Sequence, residues 1–109
     1  MSNINPDTQD VLQEYKNGLE HVLANRLATV LLYGSQSRGT HHSFSDIDVL
    51  CIVRGAFDYG QMIRETSEIT SEISLKYDVA LSRTFVSEKD YRSRNSPFMM
   101  NVRKEGVPL

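Results

Sequence analysis

Residues 31–53 read LLYGSQSRGTHHSFSDIDVLCIV and place a glycine-rich turn between two apolar runs. Within this stretch Gly34-Ser35 is separated by ten residues from Asp46-Ile47-Asp48. A glycine lets the backbone approach a ligand closely, and alternate residues of a strand point to the same face. The stretch therefore predicts a strand, a turn, a loop and a second strand, which together deliver a polar turn and two carboxylates.

The composition predicts a single domain spanning residues 1–109. With 109 residues and 39% hydrophobic content, the chain can bury one core and is too short for two ordinary domains. A formal net charge of -2 argues against a broad basic face, so nucleic acid is not expected as the main partner. The single cysteine, Cys51, lies in an apolar run, which predicts a buried packing residue and a reducing compartment.

The apolar runs are short. None approaches the roughly 20 residues that span a bilayer, and the polar start of the chain has no signal-peptide apolar region. We therefore expect a cytoplasmic protein without a membrane partner. Homo-oligomerisation is left open.

The spacing of apolar residues predicts four helices and three strands. The first helix begins at Pro6 after Asn5 as N-cap, the second runs from Gln61 to Tyr77, a short third starts at Glu88, and the last lies between Ser96 and Gly106. The strands are expected at residues 28–33, 47–53 and 78–82. Met62 and the residues on its helical stripe are expected to be core contacts.

Asp48 stands out because it interrupts an otherwise apolar strand. An isolated buried carboxylate is costly, so Asp48 needs a cation or several donors nearby. Asp46 is two residues away and is expected on the same face, where two like charges repel unless a hard cation lies between them. Mg²⁺ accepts carboxylate and phosphate oxygens, so the pair predicts metal and phosphate together.

The turn fits the phosphate half of such a site. Gly34 allows a close approach, Ser35 offers a hydroxyl and an amide, and the residues through Gly39 can open a helix whose first amides face an anion. Arg38 adds a fixed positive charge that suits phosphate oxygens. The P-loop pattern and the dinucleotide fingerprint are both absent.

Two histidines and one tyrosine lie near these residues in the sequence, and each has a structural interpretation as well as a functional one. His41 and His42 lie in the connecting loop, where a solvated side chain is the more common outcome and contact with phosphate is the alternative. Tyr33, directly before the glycine, is expected to pack rather than to shape a pocket.

The combination of strand, Gly-Ser, ten residues, Asp-x-Asp and strand resembles the nucleotidyltransferase family of DNA polymerase β-like fold. Gly34, Ser35, Asp46 and Asp48 match its signature without a shift, and Arg38-Gly39 matches its usual Arg-Gly. The chain is most similar to the minimal nucleotidyltransferases (MNT), in particular the MNT antitoxins that accompany HEPN-domain toxins.

This resemblance implies an α/β (α+β) protein with a small mixed sheet flanked by helices. It also implies two Mg²⁺ ions, held by Asp46, Asp48 and a third carboxylate on a later strand, for which Asp78 is the candidate. Asp58 and Glu72 are weaker rivals, and Asp78 as a simple helix cap or turn residue is the alternative. Nucleotide binding would fall to Gly34, Ser35, Arg38 and Gly39.

The activity implied is Mg²⁺-dependent transfer of AMP from ATP to a hydroxyl of a cognate HEPN toxin, with release of pyrophosphate. Family members that act on other acceptors usually carry a further domain, and we expect none here, which favours a protein partner. Two alternatives remain open. One is nucleotidylation of a small hydroxylated molecule such as an aminoglycoside, and the other is a non-catalytic antitoxin that neutralises its toxin by binding.

Overall fold

The computed structural model describes residues 6–33 and 46–109, in which helices and strands alternate. The helices are α1 (Pro6–Leu23), α2 (Tyr59–Tyr77), α3 (Glu88–Ser93) and α4 (Pro97–Glu105), and a single 3-10 turn (Ala24–Arg26) follows α1. The strands are β1 (Leu27–Tyr33), β2 (Ile47–Val53), β3 (Leu81–Ser87) and β4 (Val107–Pro108).

The four strands form one mixed sheet in the order β3-β2-β1-β4. β1 pairs antiparallel with both β2 and β4, whereas β2 and β3 are parallel. A parallel pair needs a long connection, which α2 supplies between β2 and β3. The expected mixed sheet flanked by helices is confirmed.

The sheet buries a different group of side chains on each face. The first cluster joins α1 and α2 to residues of β1 and β2 that include Leu32, Val49 and Cys51. The second cluster joins α4 to the opposite face and consists of Leu31, Leu50, Ile52, Val86, Met99 and Val102. Because side chains alternate along a strand, β2 contributes to both clusters, as expected for a central strand covered on both faces.

Helix α1 is fixed against α2 by polar contacts as well as by apolar packing. The Tyr15 hydroxyl lies 2.7 Å from Oγ1 of Thr70 in the interior, and burial raises the pKa of Tyr15 to about 12. Arg26, just after the helix, donates to Glu65 at 2.6 Å. These contacts fix α1 and the turn that follows it against α2 on one face of the sheet.

Several helix ends lie where the sequence predicts them. Ser87 accepts the amide of Asp90 at 3.1 Å and Ser96 accepts that of Met99 at 3.2 Å, so both act as N-caps. Gly106 follows the last residue of α4, and β2 has the predicted bounds. Asn5, expected to cap α1, lies outside the described residues.

Two strands differ from expectation. β3 spans residues 81–87 rather than the predicted 78–82. Helix α2 ends at Tyr77, and the chain uses Asp78 and the next two residues to leave the helix before the strand begins. β4 was not predicted at all, since two residues carry no periodicity.

The thiol of Cys51 is fully buried, as predicted, and burial raises its pKa to about 12. Met62, Thr66 and Ile73 of the predicted α2 stripe are buried as well. No helix within residues 6–33 and 46–109 combines the length and the apolarity needed to cross a membrane.

Candidate active site

Two carboxylates lie at the end of the sheet where β2 begins. Asp46 directly precedes the strand and is exposed, whereas Asp48 is its second residue and is partly buried. Leu50 and Ile52 follow Asp48 at alternate positions and belong to the second cluster. The alternation of the strand therefore puts Asp48 on the α4 side of the sheet, at its margin rather than in its centre.

The electrostatics of this pair favour a bound cation. Burial raises the pKa of Asp48 above its ordinary value, and the negative charge of Asp46 raises it further. Both effects penalise the ionised form in the folded protein. A hard divalent cation would offset both, and carboxylate oxygens are the donors that Mg²⁺ prefers. The residues present at the start of β2 thus fit the expected metal.

Asp48 has a neighbour on each adjoining strand. Tyr33 lies directly opposite it in the antiparallel pairing of β1 and β2. Ser82 lies beside it in the parallel pairing of β2 and β3, and Ser82 is exposed. Tyr33 also reaches towards Thr84, with 3.4 Å between the two hydroxyl oxygens. The Tyr33 ring from β1 and Ser82 from β3 therefore flank the carboxylate, and the Tyr33 hydroxyl itself lies on the β3 side.

Ser82 and Thr84 are candidate site residues that sequence reasoning missed. The available signal was that Ser82 and Thr84 are two residues apart, which puts both polar side chains on one face if residues 81–85 form a strand. Its relation to Asp48 depends on the register of a parallel pair across a 19-residue helix, and no local pattern encodes that register.

Asp78 ends helix α2 instead of opening a strand. It is the C-cap residue, exposed, in the left-handed conformation (φ 54°, ψ 51°), and its amide donates to the carbonyl of Ser74. Aspartate tolerates this conformation better than most residues. The capping alternative is thus observed, and the expectation that Asp78 begins β3 is wrong.

The position of Asp78 is nevertheless near the start of β2. The amide of Ile47 donates to the carbonyl of Ala80 at 2.8 Å, so the segment that follows α2 runs alongside the residues that precede β2. Among the described residues, however, no three His, Cys, Asp or Glu side chains are grouped closely enough to hold a metal ion. The structure brings Asp46 and Asp48 together and leaves Asp78 at the same end of the sheet, outside their immediate group.

The two rival carboxylates lie elsewhere. Asp58 caps α2 by accepting the amide of Gln61 at 3.0 Å, at the opposite end of β2 from Asp46. Glu72 is exposed on α2, and α2 packs on the face of the sheet that Asp48 does not occupy. Neither is positioned to share a cation with Asp48.

The predicted nucleotide-binding residues Gly34, Ser35, Arg38 and Gly39 lie outside the described residues, as do His41 and His42. Their expected place in the chain is between the end of β1 and the start of β2. Both flanking positions, Tyr33 and Asp46, are described.

A family model described as a nucleotidyltransferase domain matches residues 12–99. The chain belongs to this nucleotidyltransferase family. The matched region begins in α1 and ends in α4, so it contains all three predicted carboxylates. A proposed protein adenylyltransferase of Methanocaldococcus jannaschii is 29% identical over 102 residues, covering 93% of this chain and 96% of that protein. The prediction that the chain is a nucleotidyltransferase is confirmed.

Solved structures support the nucleotidyltransferase fold. A toxin–antitoxin complex crystallised with AMP-PNP is similar with a TM-score of 0.60 and 21% identity, covering 86% of this chain and 68% of that one. A structure described as a proposed minimal nucleotidyltransferase has a TM-score of 0.58 and 20% identity, covering 93% of this chain and 94% of that one. At these identities the likeness establishes the fold.

Proposed function

We propose that this nucleotidyltransferase transfers AMP from ATP to a hydroxyl group of a cognate HEPN-domain toxin and thereby silences the toxin. The observation that carries the proposal is the pair Asp46 and Asp48 at the start of β2, one exposed and one half-buried against the α4 side of the sheet. Burial and the charge of Asp46 disfavour the ionised form of Asp48, and a bound cation would offset both effects.

The reaction is an in-line displacement at the α-phosphorus of ATP. The acceptor oxygen forms a new bond to that phosphorus, the bond to the β-phosphate bridging oxygen breaks, and pyrophosphate leaves. Two Mg²⁺ ions, when bound, supply charge neutralisation at the α-phosphate and at the attacking oxygen. Asp46 and Asp48 would hold both ions, and Asp78 would hold the ion on the acceptor side and take the proton of the hydroxyl.

The role of Asp78 requires its side chain to turn from solvent towards Asp46. The contact between Ile47 and Ala80 supports this role, since it brings the end of α2 to the start of β2. The remaining assignment concerns the triphosphate. Gly34, Ser35, Arg38 and Gly39 would bind the β- and γ-phosphates with backbone amides, a hydroxyl and a guanidinium.

A protein acceptor is supported by the relative from Methanocaldococcus jannaschii, whose length this chain matches almost completely. The similar toxin–antitoxin complex with AMP-PNP supports both a nucleotide and a toxin as partners. The slight negative charge of the chain is consistent with a protein acceptor rather than a polynucleotide.

The test uses the purified chain with Mg²⁺, the product of the neighbouring gene, and ATP labelled in either the α- or the γ-phosphate. We expect the α-label, and not the γ-label, to become attached to the partner protein. The variants Asp46→Asn and Asp48→Asn should lose this transfer. Asp58→Asn is the matched control, because asparagine also caps helices and Asp58 lies at the other end of β2.

Each alternative gives a different result. Label on an added aminoglycoside in the absence of the partner would favour a small-molecule acceptor. Protection of cells from the toxin by both aspartate variants would favour an antitoxin that acts by binding alone. Transfer that is unchanged in Asp46→Asn and Asp48→Asn would exclude the proposed site.

A further inference from the structure

Tyr33 packs against the second apolar cluster and also lies next to Asp48. It is the last residue of β1 and lies directly opposite Asp48 in the β1–β2 pairing. Residues directly opposite each other in an antiparallel pair point to the same face, with Cβ atoms about 4.5–5.5 Å apart. The ring of Tyr33 therefore begins beside the carboxylate.

The Tyr33 ring is held in place mainly by packing against α4. Its hydroxyl oxygen lies 3.4 Å from Oγ1 of Thr84 on β3, so the side chain crosses over β2 to reach the far strand. Phe98 of α4 contacts the ring edge-to-face, with centroids 5.5 Å apart and an interplanar angle of 89°. The hydroxyl contact is long for a hydrogen bond and contributes little, so packing fixes the ring.

Among the residues that the structure describes, the crossing closes one side of Asp48. Leu50 occupies the next position of β2 on the same face and is fully buried, and the Tyr33 ring crosses the face between β1 and β3. The carboxylate is thus closed off on the side of the second cluster. Of the described residues, Asp46 lies exposed at the end of the sheet, two positions before Asp48.

We propose that Tyr33 is a positioning residue for Asp48: its clamped ring directs the carboxylate towards Asp46, so that the two share a divalent cation. The inference rests on the proposed function, because it assumes that these carboxylates bind the metal. Groups that orient a metal ligand typically change metal affinity by about 10–100-fold when they are removed. A ring that merely filled the core would change stability and leave cation affinity unaltered.

The experiment measures Mn²⁺ affinity in the purified chain by electron paramagnetic resonance, without nucleotide. We expect Tyr33→Leu to weaken Mn²⁺ binding by about 10-fold or more. Tyr91→Leu is the matched control, since Tyr91 packs on the same cluster from α3 and has no pairing with Asp48. It should bind Mn²⁺ within about 2-fold of the parent, although it loses comparable packing.

Two milder variants keep the test decisive if Tyr33→Leu does not fold. Phe98 is 41% exposed, so Phe98→Leu should fold and, by loosening the ring, should weaken Mn²⁺ binding measurably. Tyr33→Phe removes only the long hydroxyl contact and should stay close to the parent. Unchanged affinity in Phe98→Leu and in any folded Tyr33→Leu, or an equal loss in Tyr91→Leu, would overturn the inference.

Catalysis supplies a second readout. AMP transfer by Tyr33→Leu should fall at low Mn²⁺ and recover at saturating Mn²⁺, whereas a general folding defect would not recover. Asp48→Asn separates this inference from the proposed function. If Asp48→Asn binds Mn²⁺ as tightly as the parent, the proposed metal site is wrong. If Asp48→Asn loses Mn²⁺ binding but Tyr33→Leu keeps the affinity of the parent, only the positioning role of Tyr33 is wrong.

Discussion

Arg83 of β3 donates its Nε–H to Oγ1 of Thr66 in α2 at 2.6 Å. The same guanidinium donates to the carbonyl of Ile63 at 2.8 Å, and Thr66 in turn donates to the carbonyl of Met62. Thr66 is fully buried, so its hydroxyl supplies an acceptor to Arg83 at the inner end of this contact. These bonds tie β3 to α2 and thereby hold the strand that carries Ser82 beside Asp48.

Replacing Thr66 with valine should destabilise the fold, because the shape is nearly kept while the Nε–H of Arg83 loses its acceptor. A buried donor left without a partner costs about 1–3 kcal/mol, and because Arg83 is only partly buried we expect a loss near the lower end, which a urea unfolding curve resolves. Ser67→Ala is the control, since Ser67 is exposed and its contact with Arg83 is 3.3 Å. That change should stay within about 0.5 kcal/mol of the parent, and equal losses in the two variants would contradict the role assigned to Thr66.

Gly18 lets α1 and α2 approach each other closely. A Cβ atom added at Gly18 would lie 2.5 Å from Cδ1 of Ile69 and nearer still to Cγ1. Gly18→Ala gains about 1 kcal/mol of helix propensity, but overpacking costs about 1–3 kcal/mol, so we expect a net loss of stability. In an Ile69→Ala background the clash is absent, and the same substitution should stabilise. A stabilising effect in the parent background would contradict this packing.

Asp48→Asn should raise stability in EDTA at pH 7. The folded-state pKa of Asp48 is raised by burial and by Asp46, so its ionised form is penalised, and asparagine removes the penalty. The gain should be modest, because solvent screens a carboxylate that is only partly buried. The advantage should shrink as the pH falls towards the ordinary carboxyl pKa of 3.8, where the parent becomes protonated too.

Added Mn²⁺ should reverse this order of melting temperatures, because only the parent gains stability from binding the ion. A variant that is less stable than the parent in EDTA would show that Asp48 has a structural partner instead.

Glu14 links α1 to the end of α2 in a pH-dependent manner. It accepts a bond from the Tyr77 hydroxyl at 2.6 Å and from Nζ of Lys76 at 2.9 Å, and these contacts, the Tyr77 bond first, lower its pKa. A lowered carboxyl pKa contributes stability that is present above the ordinary value of 4.5 and is lost as the pH falls through the folded-state value.

Glu14→Gln should therefore melt below the parent at pH 7, with a difference that shrinks once the pH falls below about 4.5. Thermal melts from pH 7 to pH 3.5 measure this, and 1 M NaCl should reduce the Lys76 part of the effect. A difference that stays constant over the whole range would mean that the charge of Glu14 is irrelevant.

Local chemistry made much of the fold predictable. β2 is marked by seven residues that are apolar except for Asp48, and α4 by serine, proline and glycine at fixed offsets. These features depend on side-chain alternation and on unsatisfied helix amides, which a short sequence window contains. The identity of the family followed from the spacing between Gly34-Ser35 and the two aspartates.

The site was less predictable. The sequence places Asp78 at the start of a strand, whereas it caps the end of α2. Without a glycine after Tyr77, the sequence has no marker that separates the last residue of the helix from the first residue of a strand. Tyr33 was expected to pack, and it does, yet its position opposite Asp48 is set by strand register. Ser82 was overlooked because its register with β2 spans the whole of α2.

The sequence by itself determined the Asp46–Asp48 pair and the strand that carries Asp48, because alternation within one strand is a local property. Only the tertiary structure decided what surrounds that pair. Tyr33 comes to Asp48 from β1 and Ser82 from β3, and both depend on how α1, α2 and α4 pack on the sheet. Packing of this kind sums many weak contacts between residues far apart in the chain, so no single stretch of sequence specifies it.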